Sequence, residues 1–154
     1  MNVFGFDNFD NNESSIPKLT IELVPSTSWG DNLRSKLPKD TWDVLRRKCY
    51  QDADYCCEVC GKRGLVHAHE IWNYDDEKHI QKLNRLIALC PTCHGVKHFG
   101  RTQAIGKGEE ALKHLMVVNS WTRKQVLDYV AKSFAIWQKR SQYIWKVDIS
   151  VIAA

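Results

Sequence analysis

No stretch of this chain approaches the roughly 18 consecutive apolar residues that a membrane-spanning helix requires. Residues 1–10 lack both the basic region and the apolar stretch of a secretory signal. The expectation is a cytoplasmic protein with no membrane partner, whose six cysteines serve as thiols or thiolates rather than as a disulfide framework. No internal repeat is visible. Basic residues are scarce at one end, where residues 1–31 carry one Lys against five acids, and acids are scarce at the other, where residues 97–154 carry ten Lys or Arg against four acids. A basic C-terminal third suits a polyanionic partner, although a solvated helical surface gives the same imbalance.

What is present suffices for one small domain. Of 154 residues, 44% are apolar, with six Trp and five each of Tyr and Phe. A chain of this size buries only about 68–70% of its unfolded surface, so a metal staple would help it fold. Residues 1–15, rich in Asn, Asp and Ser, predict a flexible acidic leader, with a single domain over 16–154. Leu19, Ile21 and Leu23 alternate with polar residues and predict a half-buried strand over 18–24, stopped by Pro25 and followed by a turn over 26–32. A helix is expected over 39–51, with Trp42, Leu45 and Cys49 on one face and Asp40 or Thr41 as its cap.

Further along, residues 65–72 read as a strand and 73–78 as a hairpin loop. Period alone does not settle 79–90, which is taken as the returning strand, with a helix opening near Pro91. Helices are expected over 109–118 and 123–140, then a strand over 143–149. Val126, Tyr129, Val130, Ser133, Phe134 and Trp137 form a helical stripe that reads as core rather than as a ligand site. The fold class is therefore α+β, with an N-terminal strand and helix and a C-terminal helical extension over 102–154.

Two cysteine pairs carry the strongest signal: Cys57-Glu-Val-Cys60 and Cys90-Pro-Thr-Cys93. A Cys-x-x-Cys turn brings two thiolates to one tetrahedral ion, and two such turns complete a closed structural zinc site. Cys56 could replace Cys57 in the first turn. A closed site keeps no open position, so this zinc would clamp and not catalyse. Histidines concentrate between and just after the pairs: His67, His69, His79, His94 and His98. His94 and His98 stand at i, i+4 on the expected helix, and His67 and His69 share one face of the expected strand. Held together by the thiolates, His69, His94 and His98 could converge on a second, catalytic divalent ion with open positions. The same histidines scattered over a solvated surface are the plainer alternative.

The run Cys57-x2-Cys60, Val66-His67-Ala68-His69-Glu70-Ile71, Asn84 and Leu89-Cys90-x2-Cys93-His94-x2-Lys97-His98 resembles the HNH endonuclease family over about residues 56–101. The resemblance implies a ββα-metal core, in which a hairpin and a helix grip one divalent ion (Mg²⁺, Mn²⁺, Ni²⁺ or Zn²⁺), stapled here by structural Zn²⁺. It implies that His69, His94 and His98 are metal ligands, that Asn84 fixes the loop or helps hold the metal, and that Lys97 contacts phosphate. The family places a water-activating histidine where this chain has Glu70. A carboxylate can take that proton, with His67 as a second candidate. An alternative register would put His69 at the base position and Ala68 at the ligand position.

The implied activity is hydrolysis of DNA phosphodiesters, with double-stranded DNA as the partner and 5′ phosphate and 3′ hydroxyl ends. A homodimer or a larger nuclease complex is also compatible. Arg101, Lys107, Arg123, Lys124, Lys139 and Arg140 are candidates for backbone contacts. Two other functions stay open: a degenerate HNH module that binds nucleic acid without cutting, and an accessory zinc protein that binds a protein through its aromatic helix.

Overall fold

A computed structural model describes residues 17–152; the acidic leader expected over 1–15 lies outside them. The described part is α+β. Six α-helices, α1 (Leu33–Lys36), α2 (Lys39–Asp52), α3 (Pro91–Lys97), α4 (Phe99–Ala104), α5 (Gly108–Asn119) and α6 (Arg123–Arg140), accompany three strands, β1 (His67–Asp75), β2 (Ile80–Leu89) and β3 (Lys146–Asp148). The sheet order is β1-β2-β3, with β1 and β2 antiparallel and β3 parallel to the start of β2. No described helix is long and apolar enough to cross a membrane.

The hairpin turn is shorter than the sequence suggests, because Asn73 and Asp75 still pair across the sheet with Lys82 and Ile80. Residues 76–79 make the turn, and the Asp75 carboxylate accepts the Glu77 and Lys78 amides at 3.1 and 2.9 Å. Such side-chain-to-backbone bonds stand in for missing ladder bonds. His79 closes the turn at φ 54°.

One irregularity divides the hairpin's two faces. Ile71 pairs with Arg85 but Trp72 pairs with Leu83, so Asn84 is an extra residue in β2. An extra residue reverses side-chain parity beyond it. Ile87 and Leu89 therefore enter the main core with Leu19, Val96, Phe99, Leu115 and Val126. Leu83 instead joins Leu86, Ala68 and Trp72 on the opposite face, against Leu33 and Trp42. The fully buried Leu19, Leu83, Leu89, Val96, Phe99, Leu115 and Val126 each contribute about 1.5–3 kcal/mol.

The segment expected as a strand over 18–24 forms no regular element and joins no sheet. Its alternation is correct, since Leu19 and Ile21 are buried, but its backbone finds other partners. Leu19 donates its amide to Asn119 Oδ1 and accepts from Asn119 Nδ2, both at 2.9 Å. Ile21 donates to the Tyr129 hydroxyl at 2.9 Å, and Glu22 donates to the Lys97 carbonyl at 3.0 Å. Helices α3, α5 and α6 thus take the place of a neighbouring strand.

Helix α2 begins after Pro38 with no side-chain cap, and Asp40 lies in its first turn rather than capping it. Helix α6 has the expected bounds, opened by a reciprocal Thr122–Gln125 capping box. Helices α1 and α4 were not anticipated. The strand expected over 143–149 contracts to β3, flanked by buried Trp145, whose indole donates to the Arg140 carbonyl at 2.8 Å.

Asn119→Ala should destabilise the protein by about 1–3 kcal/mol, because two half-buried backbone groups of Leu19 lose their partner. Urea denaturation at unchanged m-value measures this, and an unaltered midpoint would contradict the docking of residues 18–24 described above.

Candidate metal centres

The first centre is the cysteine cluster. The sulfurs of Cys57, Cys60, Cys90 and Cys93 all lie within 4.8 Å of one another, and Cys60 Sγ is 3.7 Å from Cys90 Sγ. Cys57, and not Cys56, completes the set; the Cys56 sulfur faces the Asp54 carbonyl at 3.4 Å. Each Cys-x-x-Cys turn aims an amide back at its first sulfur: Cys60 N–H to Cys57 Sγ at 3.5 Å and Cys93 N–H to Cys90 Sγ at 3.4 Å. The second of these is also the cap of α3, with Cys90 at the N-cap and Pro91 at the first helical position.

The chemistry of these donors fits a soft divalent cation. Burial raises the Cys57 pKa, but amide donors at Cys60, Cys90 and Val59 outweigh it and bring the thiol down to about 7. Burial first, and then the neighbouring sulfurs, push Cys93 well up. Four adjacent sulfurs cannot all ionise without a cation between them, and a divalent ion such as zinc would supply that charge. His114 of α5 reaches Cys93 Sγ with Nε2 at 3.1 Å, tying the helical extension to this centre.

The second centre is built by β1 and α3. His69, His94 and His98 place ring nitrogens within 4.8 Å of one another. Strand alternation sends His67 and His69 to one side of β1. One helical turn sets His98 beside His94 at 4.7 Å between ring centroids, although α3 ends at Lys97 and His98 is its C-cap. His69 is 5.4 Å from His94 and 5.0 Å from His98 by the same measure. Burial, then the neighbouring imidazoles, lower His94 to about 3, and burial and His69 lower His98 to about 4. Both rings are thus neutral at physiological pH, which is the form that binds a metal. His67 adds a fourth imidazole, its Nδ1 lying 3.0 Å from His94 Nδ1.

Glu22, which no motif singles out, completes the arrangement. Its Oε2 meets His69 Nε2 at 2.7 Å, and its Oε1 accepts from Lys97 Nζ at 3.0 Å. Burial opposes its charge, yet the His69 hydrogen bond and Lys97 hold the carboxyl below its usual range. A carboxylate bonded to a ligating imidazole fixes the ring's orientation and raises its basicity.

The remaining expected residues divide. Glu70 lines the same groove as His69, His94 and His98, a depression of about 860 Å³. Its Oε1 accepts the Leu33 amide at 3.1 Å at the start of α1, and burial pushes its pKa up. Arg101 is exposed and lines this groove, as does Arg34, which was not anticipated. A second depression of about 610 Å³, which also touches His94, is lined by Arg34, Tyr50 and His67, with Lys39 and Arg46. The charges of Lys39 and Arg46 are engaged by Asp43 at 2.8 Å each.

Asn84 is not brought to the histidines. It is the exposed bulge residue of β2. Lys97, expected at a phosphate, is 5% exposed and donates inward to Thr20 Oγ1 at 2.7 Å and to Glu22. Arg123 is held by both carboxylate oxygens of Glu109 at 2.6 and 3.1 Å. Arg123 and Lys124 open α6, about 20 Å along the helix from Trp137 at the groove wall. Lys107 is exposed at the N-cap of α5. Arg140 is bound to Asp76 at 2.8 and 3.1 Å.

No protein-family model, curated protein or solved structure matches this chain.

Glu22→Ala should weaken divalent-metal binding at the histidine centre by about 10–100-fold while leaving the thiolate centre loaded. Isothermal titration of the zinc-loaded protein measures this; unchanged affinity would remove Glu22 from the centre.

Proposed function

We propose that this chain is a metal-dependent endonuclease of the HNH type, hydrolysing DNA phosphodiester bonds at the histidine centre. The observation that carries the reading is the convergence of His69, His94 and His98 on an open groove beside a closed four-cysteine cluster. A clamp with every position filled and a second centre facing a groove are the arrangement expected of one structural and one catalytic metal. The hairpin of β1 and β2 followed by α3 supports the same reading.

A divalent ion held by His69, His94 and His98 would supply positive charge to the scissile phosphate and its leaving oxygen. The chain's own groups account for the rest. Glu22 orients His69 from behind. Arg34 and Arg101 line the groove and offer planar guanidinium donors to non-bridging phosphate oxygens. Two groups compete to take the proton of the attacking water. Burial raises the Glu70 pKa and strengthens it as a base, but strand alternation turns it to the face opposite His69 and one of its oxygens is committed to Leu33. His67 lies against His94 on the same face of β1 as His69. The commitment of Glu70 also favours the second reading, a module of this type that binds nucleic acid without cutting it.

Supercoiled plasmid with Mg²⁺, Mn²⁺ or Ni²⁺ tests the proposal. The parent should nick or linearise it, and His94→Ala should abolish cleavage while circular dichroism remains unchanged. Loss of the proton acceptor costs about 10²–10⁴-fold, so comparing Glu70→Gln with His67→Ala identifies it. A folded, zinc-loaded parent inert in every metal would sink the enzyme and leave the binding module.

A further inference from the structure

Among the described side chains, Trp29 combines a large apolar face with unusual exposure: 67% of its surface is open. Tryptophan is on average a highly buried residue, so this exposure is a departure from its usual setting. Trp29 is also fixed in place. Its indole Nε1 donates to the Val24 carbonyl at 2.8 Å, and Trp137 Nε1 donates to the same oxygen at 3.0 Å. The two rings stack at 6.3 Å between centroids with 22° between their planes. The short 3-10 turn just ahead, Ser26–Ser28, is tied to the end of α6, with the Ser26 amide donating to Ser141 Oγ at 3.0 Å and Thr27 Oγ1 donating to the Tyr143 carbonyl at 2.6 Å. Trp29 and Trp137 line the groove that contains His69, His94 and His98, together with Arg34 and Arg101.

We infer that Trp29, backed by Trp137, is a stacking platform for an unpaired nucleobase, so that the substrate is DNA with a single-stranded or extruded nucleotide at the cleavage site. This rests on the nuclease reading above and narrows it from the continuous duplex that the sequence suggests. The charge in the groove selects the occupant. Guanidinium groups and a metal centre take the phosphates, and a rigid aromatic face takes the base next to them. Base-on-aromatic stacking is tolerant of sequence because every base has a π-face, and a paired base inside a duplex offers no such face. An indole pinned by its own hydrogen bond loses little freedom on binding.

The test is fluorescence anisotropy with the full, zinc-loaded chain and no added catalytic metal. Three labelled probes of equal length are compared: a single-stranded thymidine oligonucleotide, the same strand with abasic sites, and a paired duplex. The parent should prefer the base-bearing strand over the abasic one by roughly 5- to 150-fold. Trp29→Ala should lose that preference yet bind the abasic strand as the parent does, and Trp29→Phe should keep part of it. Equal parent affinity for base-bearing and abasic strands, or an undiminished preference in Trp29→Ala, would overturn the platform while leaving the nuclease reading intact. Failure to bind any of the three probes would overturn the platform, and plasmid cleavage would then decide the nuclease reading separately.

Discussion

Cys90 stands at the point where the two centres meet. Its sulfur belongs to the four-cysteine cluster, and the same sulfur accepts the Cys93 amide that caps α3. Joining the knuckle at Cys57 and Cys60 to this cap fixes α3 against the end of β1, since His67 pairs with Leu89, the residue before Cys90. His94 follows directly on Cys93, so whatever holds the sulfurs also sets where the His94 imidazole sits. A chain of this size has limited apolar burial to do that work, and four sulfurs gathered on a cation add a constraint that packing alone would not impose.

A second set of contacts closes the histidine centre from behind. Glu22 bridges His69 and Lys97, and Lys97 also holds Thr20. These groups are largely withdrawn from water, where an ion pair is costly to build and more costly to break. The bridge uses the segment 18–24, whose backbone is fastened to Asn119 and Tyr129. The C-terminal helices therefore act on the centre indirectly: α5 and α6 hold the segment, the segment presents Glu22, and Glu22 orients His69. His114 on Cys93 is a second, separate route from α5 to the thiolate cluster.

Much of this was legible because it is local. The Cys-x-x-Cys spacing, the i, i+4 histidines and the alternation of His67 with His69 each depend on a few adjacent residues, and the centre assembled as those patterns implied. The stripe from Val126 to Trp137 located α6 in the same way. Glu22 was not legible, because its partners lie 47 and 75 positions away. The inward turn of Lys97 had a signal that the motif obscured: Cys93 stands four residues earlier on the same helical face, and that face is buried. The place of Asn84 in a bulge was not legible, because nothing in the sequence of β2 announces one. The strand expected over 18–24 failed for a different reason. Periodicity reports which side chains are buried and is silent on what the backbone bonds to.

The two clusters are chemically distinct candidate metal centres, one of thiolates and one of imidazoles. Cobalt(II) titration of the metal-free protein, followed by optical absorption, tests this directly. The first equivalent should give an intense thiolate-to-cobalt charge-transfer band, and a second equivalent should bind without increasing that band and be lost in His94→Ala. Saturation at one equivalent, or loss of the thiolate band itself in His94→Ala, would contradict two separate centres.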